Sequence, residues 1–335
     1  MPSPISFNPR KLSISLAIAF IILAIGLYAP LRLVFAGEWK LQQQFNWFNF
    51  KELPLFNDPI FRDLPIGMIS FRFYSLLMLL GVLAGYALTT FLAKFHFIAS
   101  TIIDRLLIGV LVSGLIGART LFVIFNWDKF ASEPLSIVLS IQQGGLAIFG
   151  AFIGAAFYIF IYTKQFRFNF WEFLDIITPG VLLGQVIARW GNFFNYEAYG
   201  QSTSVYWKMF VPDIANITAN INQRFFHPTF LYEIIPNSFL LIAILYFYTN
   251  LTRKRSGLIF AFWAVGYGVI RFIVEFWRLD ALKVALPFNI NYGVFEYPNL
   301  LVSQFLALVL IILGIITYYY RSRVFFNKKG LQEIR

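Results

Sequence analysis

Between Gly184 and Gly200 the sequence reads GQVIARWGNFFNYEAYG, where an apolar run acquires a set of chemically active side chains within a few residues. Arg189, Gly191, Asn192, Asn195, Glu197 and Gly200 alternate with Trp190, Phe193, Phe194, Tyr196 and Tyr199. An arginine inside an apolar segment costs several kcal/mol and is retained for a ligand or a partner charge. Beside two side-chain amides, a carboxylate and aromatic walls, it forms the centre of a polar pocket suited to an anionic lipid. A second constellation is GYGVIRFIVEFWR, in which Tyr267, Arg271, Glu275 and Arg278 fall on one helical face at spacings that let them touch. Arg271 and Glu275 can neutralise each other. The stripe keeps positive charge in excess, and together with Arg189 it suits a phosphate, which guanidinium binds as a bidentate fork. Taken alone, the stripe can equally be an ion pair that joins helices.

These residues must be carried by membrane helices. The chain has 335 residues, 59% hydrophobic and 13% charged, with a mean hydropathy of +0.69. Soluble domains are about half apolar and about a quarter charged. Apolar segments long enough to span occur near 12–35, 74–95, 106–126, 146–163, 174–193, 230–250, 257–277 and 299–320. The expected fold is an all-α polytopic membrane protein with a seven-helix transmembrane core, one additional N-terminal span and irregular outer-face loops. Segments 1–69 would hold the extra span and an outer loop, 70–320 the core, and 321–335 a basic cytoplasmic tail.

The net charge of +11 is a topology signal rather than a nucleic-acid stripe. With the N-terminus inside, Arg10, Lys11, Lys94, Arg105, Lys164, Arg167, Arg253, Lys254, Arg255, Arg321 and Arg323 lie in short inside segments. Both termini are then cytoplasmic. Arg119, Arg189, Arg271, Tyr74, Gly144, Gly145, Gly150, His227, Tyr232 and Glu233 converge on the outer leaflet. The segment 12–35, ending in Val34-Phe35-Ala36, reads either as an uncleaved anchor or as a signal peptide. The loop 37–73, rich in Phe and Trp, reads as surface-lying structure at the lipid interface. Zero cysteines and two histidines exclude a disulfide, a cysteine nucleophile and a histidine-rich metal cluster, so no cofactor or metal is expected.

Two further motifs admit bland readings. His227-Pro228-Thr229-Phe230-Leu231-Tyr232-Glu233 can be an interfacial anchor at a helix entrance. The glycine run Gly144 to Gly154 is more often close helix packing than chemistry. Arg119 needs a partner such as Asp175 or a lipid phosphate.

The run Arg189 to Gly200 resembles the signature of bacterial prolipoprotein diacylglyceryl transferases. Four other blocks agree in order: Arg72-Phe73-Tyr74, the Gly144–Gly154 run, His227-Pro228 through Tyr232-Glu233, and Tyr267 with Arg271, Glu275 and Arg278. The resemblance covers about residues 70 to 320. It implies an enzyme of the bacterial plasma (inner) membrane, multi-pass, with its active site facing the outer leaflet. Such an enzyme moves the diacylglyceryl group of phosphatidylglycerol onto the lipobox cysteine thiol of a preprolipoprotein signal peptide. Membrane lipids surround it and nucleic acid is not a partner. By matching position, Arg189, Arg271, Glu197 and Asn192 would be the catalytic set, with both arginines holding and polarising the phosphate. Asn192, Glu197, Gly200 and Asn195 would shape the headgroup pocket, and Tyr74 and Tyr267 would add hydrogen bonds. Glu275 and Arg278 would orient Arg271, and His227 would complete the binding surface. Where this family often carries a histidine proposed as base on the thiol, the chain has Phe149, which accepts no proton. The base is then His227 or Glu197, or no protein base acts there. Two other readings stay open at this point: a member that binds lipid or precursor without catalysis, and a lipid or anion transporter.

Overall fold

The computed structural model describes residues 63–66, 69–131, 137, 147–205, 207–211, 225–252, 255–279 and 302–332. The expected first span 12–35 and most of the loop 37–73 lie outside these residues, as do Gly144 and Gly145 and the basic residues 253 and 254.

The chain opens with a hairpin, β1 Asp63–Ile66 and β2 Ile69–Arg72, paired antiparallel with Asp63 opposite Arg72. Helices follow: α1 Phe73–Ala93, α2 Ser100–Phe125, a short α3 Trp127–Phe130, α4 Ile148–Gln165 and α5 Phe170–Asn195. A second small hairpin joins β3 Met209–Phe210 to β4 Phe225–Phe226, and then come α6 Thr229–Thr252, α7 Leu258–Val274 and α8 Val302–Gln332. The described chain is thus helical apart from two short hairpins, and loop segments expected to be irregular contain these paired strands.

Among the described residues six helical stretches are long and apolar enough to cross a membrane: Tyr74–His96, Ser100–Phe125, Phe170–Asn195, Thr229–Tyr248, Leu258–Trp277 and Ser303–Ser322. Helix α4, which occupies the expected span 146–163, is 18 residues long and is not among them. At 1.5 Å per residue, the 21-residue α1 extends about 31 Å, close to the thickness of a hydrocarbon core. The outward faces are apolar: Leu79, Leu80 and Leu83 on α1 and Ile108, Leu111, Leu115 and Ile116 on α2 are exposed. Such a surface is solvated by lipid, not by water.

The chain forms two compact units, residues 1–85 with 178–335, and residues 86–177. In the second unit α2 packs on α4 through glycines. A Cβ on Gly117 would lie 2.3 Å from the carbonyl oxygen of Gly150, so the two backbones meet where only hydrogen fits between them. The glycine run of α4 therefore has a packing role here. Arg119, also in this unit, donates from Nε to the Ile137 carbonyl at 2.8 Å and lies over the rings of Phe122 and Phe130. At the other end of α2, Tyr86 donates to Asp104 at 2.5 Å, and His96 Nδ1 meets Glu172 at 2.8 Å.

In the first unit α5, α6 and α7 run antiparallel in turn. Trp190 and Phe193 of α5 pack on Phe230 at the start of α6. Further along α6, Leu240 fills the space beside Gly266 of α7. A cluster of Tyr199, Met209, Val211, Phe226, Phe230 and Ile234 forms a core at this end of the helices. It ties the β3–β4 hairpin to the helix ends and fixes the loop that follows α5.

Candidate functional site

Helix α5 ends because Tyr196 and then Ala198 take left-handed backbone conformations, with φ of 49° and 56°. Non-glycine residues pay steric strain there, so the turn is held by its surroundings. It folds Glu197 back against its own helix: the Glu197 amide donates to the Asn192 carbonyl at 3.1 Å. The Glu197 carboxylate then accepts from the side-chain amides of Asn192 (3.1 Å) and Asn195 (3.3 Å). Asn192 Oδ1 in turn receives Arg189 Nη1 at 3.5 Å. The spacing of arginine, two amides and carboxylate thus makes one hydrogen-bonded chain at the helix end.

Arg189 continues this chain across helices. Its Nη2 lies 2.7 Å from Glu233 Oε2, while the other oxygen of Glu233 accepts from Arg271 Nη1 at 2.6 Å. A single carboxylate from the second turn of α6 is therefore shared by guanidinium groups from α5 and α7. Glu233 is 2% exposed. Arg271 Nη2 reaches Glu275 at 2.8 Å, the expected pairing one turn on, and also donates to Ser303 of α8 at 3.2 Å. Glu275 begins a 3-10 turn, Glu275–Trp277, and Arg278 emerges in extended backbone with Nε 4.0 Å from Glu275. Arg278 then pairs through its backbone with Gly200, and Gln201 donates to the Trp277 carbonyl at 2.8 Å. A Cβ on Gly200 would lie 2.6 Å from that Trp277 oxygen, so glycine permits the bridge that brings the two motifs together.

The electrostatic balance follows from this list. The network sets Arg189, Arg271 and Arg278 against Glu233 and Glu275, with the Glu197 carboxylate joined to Arg189 through Asn192. Buried ions are tolerated when paired in this way. Arg189 is the more accessible of the two central arginines, with 25% of its side chain exposed against 14% for Arg271. Arg271 is engaged on three sides, by Glu233, Glu275 and Ser303. Tyr74 and Tyr267 both lie within electrostatic reach of Arg189, and Tyr267 hydrogen-bonds to it. Tyr74 is fixed against Gly191, where a Cβ would fall 2.7 Å from its ring, and Tyr267 by stacking on Trp263.

At the rim, Trp207 Nε1 donates to the Tyr232 hydroxyl at 2.8 Å, and His227 Nδ1 faces the same hydroxyl at 2.9 Å. Indole only donates, so the Tyr232 oxygen is the acceptor there and its hydrogen is free for His227 Nδ1. Burial pushes the His227 pKa below its ordinary value, which favours the neutral ring.

The structure thus gathers Tyr74, Arg189, Asn192, Asn195, Glu197, Gly200, His227, Tyr267, Arg271, Glu275 and Arg278 within the first unit. Glu233, Ser303, Trp207 and Tyr232 join them and were not among the expected site residues. The signal for Glu233 was present: a carboxylate one turn inside an apolar helix must find a partner. Among the described residues no cluster of His, Cys, Asp and Glu could hold a metal.

A family model described as prolipoprotein diacylglyceryl transferase matches residues 61–320. The chain is 36% identical over 303 residues to the phosphatidylglycerol–prolipoprotein diacylglyceryl transferase of Fervidobacterium nodosum, covering 90% of this chain and 92% of that one. Proteins of the same name from Gloeobacter violaceus and Synechocystis are 37% and 35% identical over 219 and 254 residues. Those matches cover 65% and 74% of this chain and 81% and 84% of the relatives.

Proposed function

The chain belongs to the prolipoprotein diacylglyceryl transferase family, and from that premise we infer that it transfers the diacylglyceryl group of phosphatidylglycerol to the lipobox cysteine thiol of a preprolipoprotein. The observation that carries the reading is the carboxylate of Glu233 held between Arg189 and Arg271, with a quarter of the Arg189 side chain left exposed. The phosphodiester of phosphatidylglycerol carries one negative charge and would meet the exposed part of Arg189.

In the reaction, sulfur attacks the glycerol carbon that bears the phosphate. The carbon–oxygen bond breaks, a thioether forms, and glycerol phosphate departs with the bonding electrons. The thiol proton passes to water or to the departing phosphomonoester. Charge grows on the leaving oxygen as the bond breaks, so a pre-placed guanidinium stabilises the transition state more than the ground state. Arg189 is the contacting residue. Arg271, Glu233, Glu275 and Asn192 position it and set the local charge. Tyr74 and Tyr267 supply hydroxyls beside it.

Phe149, in the first turn of α4, accepts no proton, and His227 Nδ1 faces the Tyr232 hydroxyl. Without a base from Phe149 or His227, a thiolate is still supplied by the few per cent of a free thiol, of pKa about 8.5, that is ionised near neutral pH, and Glu197 is the remaining carboxylate candidate. The positive field of Arg189 would enlarge that fraction.

We place the enzyme in the bacterial plasma membrane with Arg189 near the outer leaflet, on the strength of Lys94, Arg105, Lys164, Arg167 and Arg321 at the opposite ends of the spans. The test is incubation of the purified chain with phosphatidylglycerol and a lipobox peptide, with mass spectrometry for diacylglyceryl-cysteine. Formation of the adduct, and its loss in Arg189→Ala and Arg271→Ala proteins that still insert, are expected. Full activity in both variants refutes these roles.

A further inference from the structure

The motif His227 to Glu233 gives the site His227, Tyr232 and Glu233, and leaves Thr229 without a part in the reaction. Thr229 opens α6 and is 1% exposed. A threonine at a helix start commonly turns its hydroxyl back on the first amides of its own helix. Here that hydroxyl donates to the carbonyl of Ala198, 31 residues earlier and in the turn that ends α5. Its methyl group lies on Gly200, where a Cβ would fall 2.9 Å from Thr229 Cγ2. The first turn of α6 is closed by other means: the amides of Leu231 and Tyr232 both donate to the Pro228 carbonyl, at 3.0 and 3.3 Å. The side chain of Thr229 therefore serves the loop and not the helix.

The loop needs such a tie. Tyr196 and Ala198 both hold left-handed backbone, which residues with a Cβ adopt at a steric cost. Without a tether at Ala198 the turn would relax toward ordinary φ and swing Glu197, which lies between the two. Glu197 is itself exposed, so packing does not hold it. It is held by the bond from its amide to the Asn192 carbonyl and by the two side-chain amides on its carboxylate. Beyond the turn the chain is firmly seated: Tyr199 is buried against Phe226, and the Gly200 amide donates to the His227 carbonyl at 2.8 Å. Thr229 thus secures the strained stretch between a helix end and a paired strand. Through Glu197 and Asn192 that tie reaches Arg189.

We propose that Thr229 is a positioning residue for the transfer: its hydroxyl holds the Ala198 carbonyl, and with it the turn that sets Glu197 and Asn192 against Arg189. The oxygen does this, and the methyl only fills space beside Gly200. The bearing of the turn on catalysis rests on the transferase reading given above; the clamp itself does not.

The test separates oxygen from methyl in the purified full-length chain. Thr229→Val keeps the shape and removes the donor, whereas Thr229→Ser keeps the donor and removes the methyl. Hydrogen exchange followed by mass spectrometry reads the Glu197 and Gly200 amides directly. Exchange at both is expected to quicken about tenfold or more in the valine variant, the effect of one lost hydrogen bond and an orphaned carbonyl, and to stay within about twofold of the parent in the serine variant. Initial rates of thioether formation from phosphatidylglycerol and a lipobox peptide should follow the same pattern. In the valine variant kcat should fall about tenfold with KM for the lipid within about twofold, since Glu233 still holds the other side of Arg189. The serine variant should keep the parental rate. Unchanged exchange in the valine variant overturns the clamp, and so does equal acceleration at Leu231 and Tyr232, which would make Thr229 a helix-start residue. Faster exchange at the turn with a parental kcat overturns its link to catalysis. A parental chain that forms no adduct is a different failure: it overturns the transferase reading and the catalytic half of this proposal, while the exchange result still decides the clamp.

Discussion

Replacing Glu233 with Gln tests the central geometry directly. The side chain keeps its size and one acceptor oxygen but loses the charge that holds Arg189 Nη2 at 2.7 Å and Arg271 Nη1 at 2.6 Å. Removing one partner of a buried ion pair costs about 3–5 kcal/mol, because the remaining charge is left uncompensated. Here two guanidiniums are left facing each other, so the cost falls on their placement. Each 1.4 kcal/mol is tenfold in rate, so a loss of about a hundredfold or more in kcat is expected where the strain is felt in the transition state. Ground-state affinity should move differently. The layer gains a net positive charge, so KM for phosphatidylglycerol should hold steady or fall. The assay is initial-rate thioether formation across a range of lipid mole fractions, with thermal unfolding in detergent to confirm that the variant is folded. A variant with kcat within threefold of the parent, or with a raised KM and unchanged kcat, would refute the view that Glu233 spaces the two arginines for catalysis.

Arg189→Lys should lose at least a hundredfold in kcat/KM, because an ammonium cannot reproduce the planar fork that reaches Glu233 and Asn192 together; steady-state kinetics measures this. The depressed pKa of His227 predicts a pH effect on stability. The unfolded chain takes up the proton near pH 6.5 and the folded chain only below that, so the stabilising contribution is present above about 6.5 and lost as pH falls through the folded value. Unfolding temperatures followed from pH 7.5 to 5 should therefore decline, and His227→Gln should flatten part of the slope. Gly117→Leu should destabilise the α2–α4 pair by about 1–3 kcal/mol or more, since its first side-chain carbon already meets the Gly150 carbonyl at 2.3 Å. Thermal unfolding and protease resistance both report that change.

What could be read from the sequence was what is local in it. Arg189, Asn192 and Glu197 lie within one helix end, and Arg271 and Glu275 are four residues apart, so spacing alone predicts their contacts. Glu233 escaped because its partners stand on other helices and no periodicity connects residues so distant in sequence. The same holds for Ser303, which meets Arg271 from α8, and for Trp207, which meets Tyr232 from the loop after α5. Arg119 shows contacts that its position in the sequence did not suggest. A charged partner or lipid phosphate was sought for it, and the described contacts add a backbone carbonyl and two aromatic faces. The two short hairpins were not visible as strands because two- and four-residue pairings leave no alternation to detect.

The sharing of one carboxylate by arginines on either side of it also sets an order of biogenesis. Arg189 leaves the ribosome first, and its counter-charge Glu233 follows roughly forty residues later, a delay of several seconds at ordinary synthesis rates. Arg271 comes later still. The translocon must accordingly accept α5 with its cation unmatched, retain it beside α6, and release the group only once α7 arrives. A nascent chain halted between α6 and α7 would carry a neutral pair and lodge in the bilayer quietly, whereas one halted before α6 would present a solitary cation to quality-control proteases.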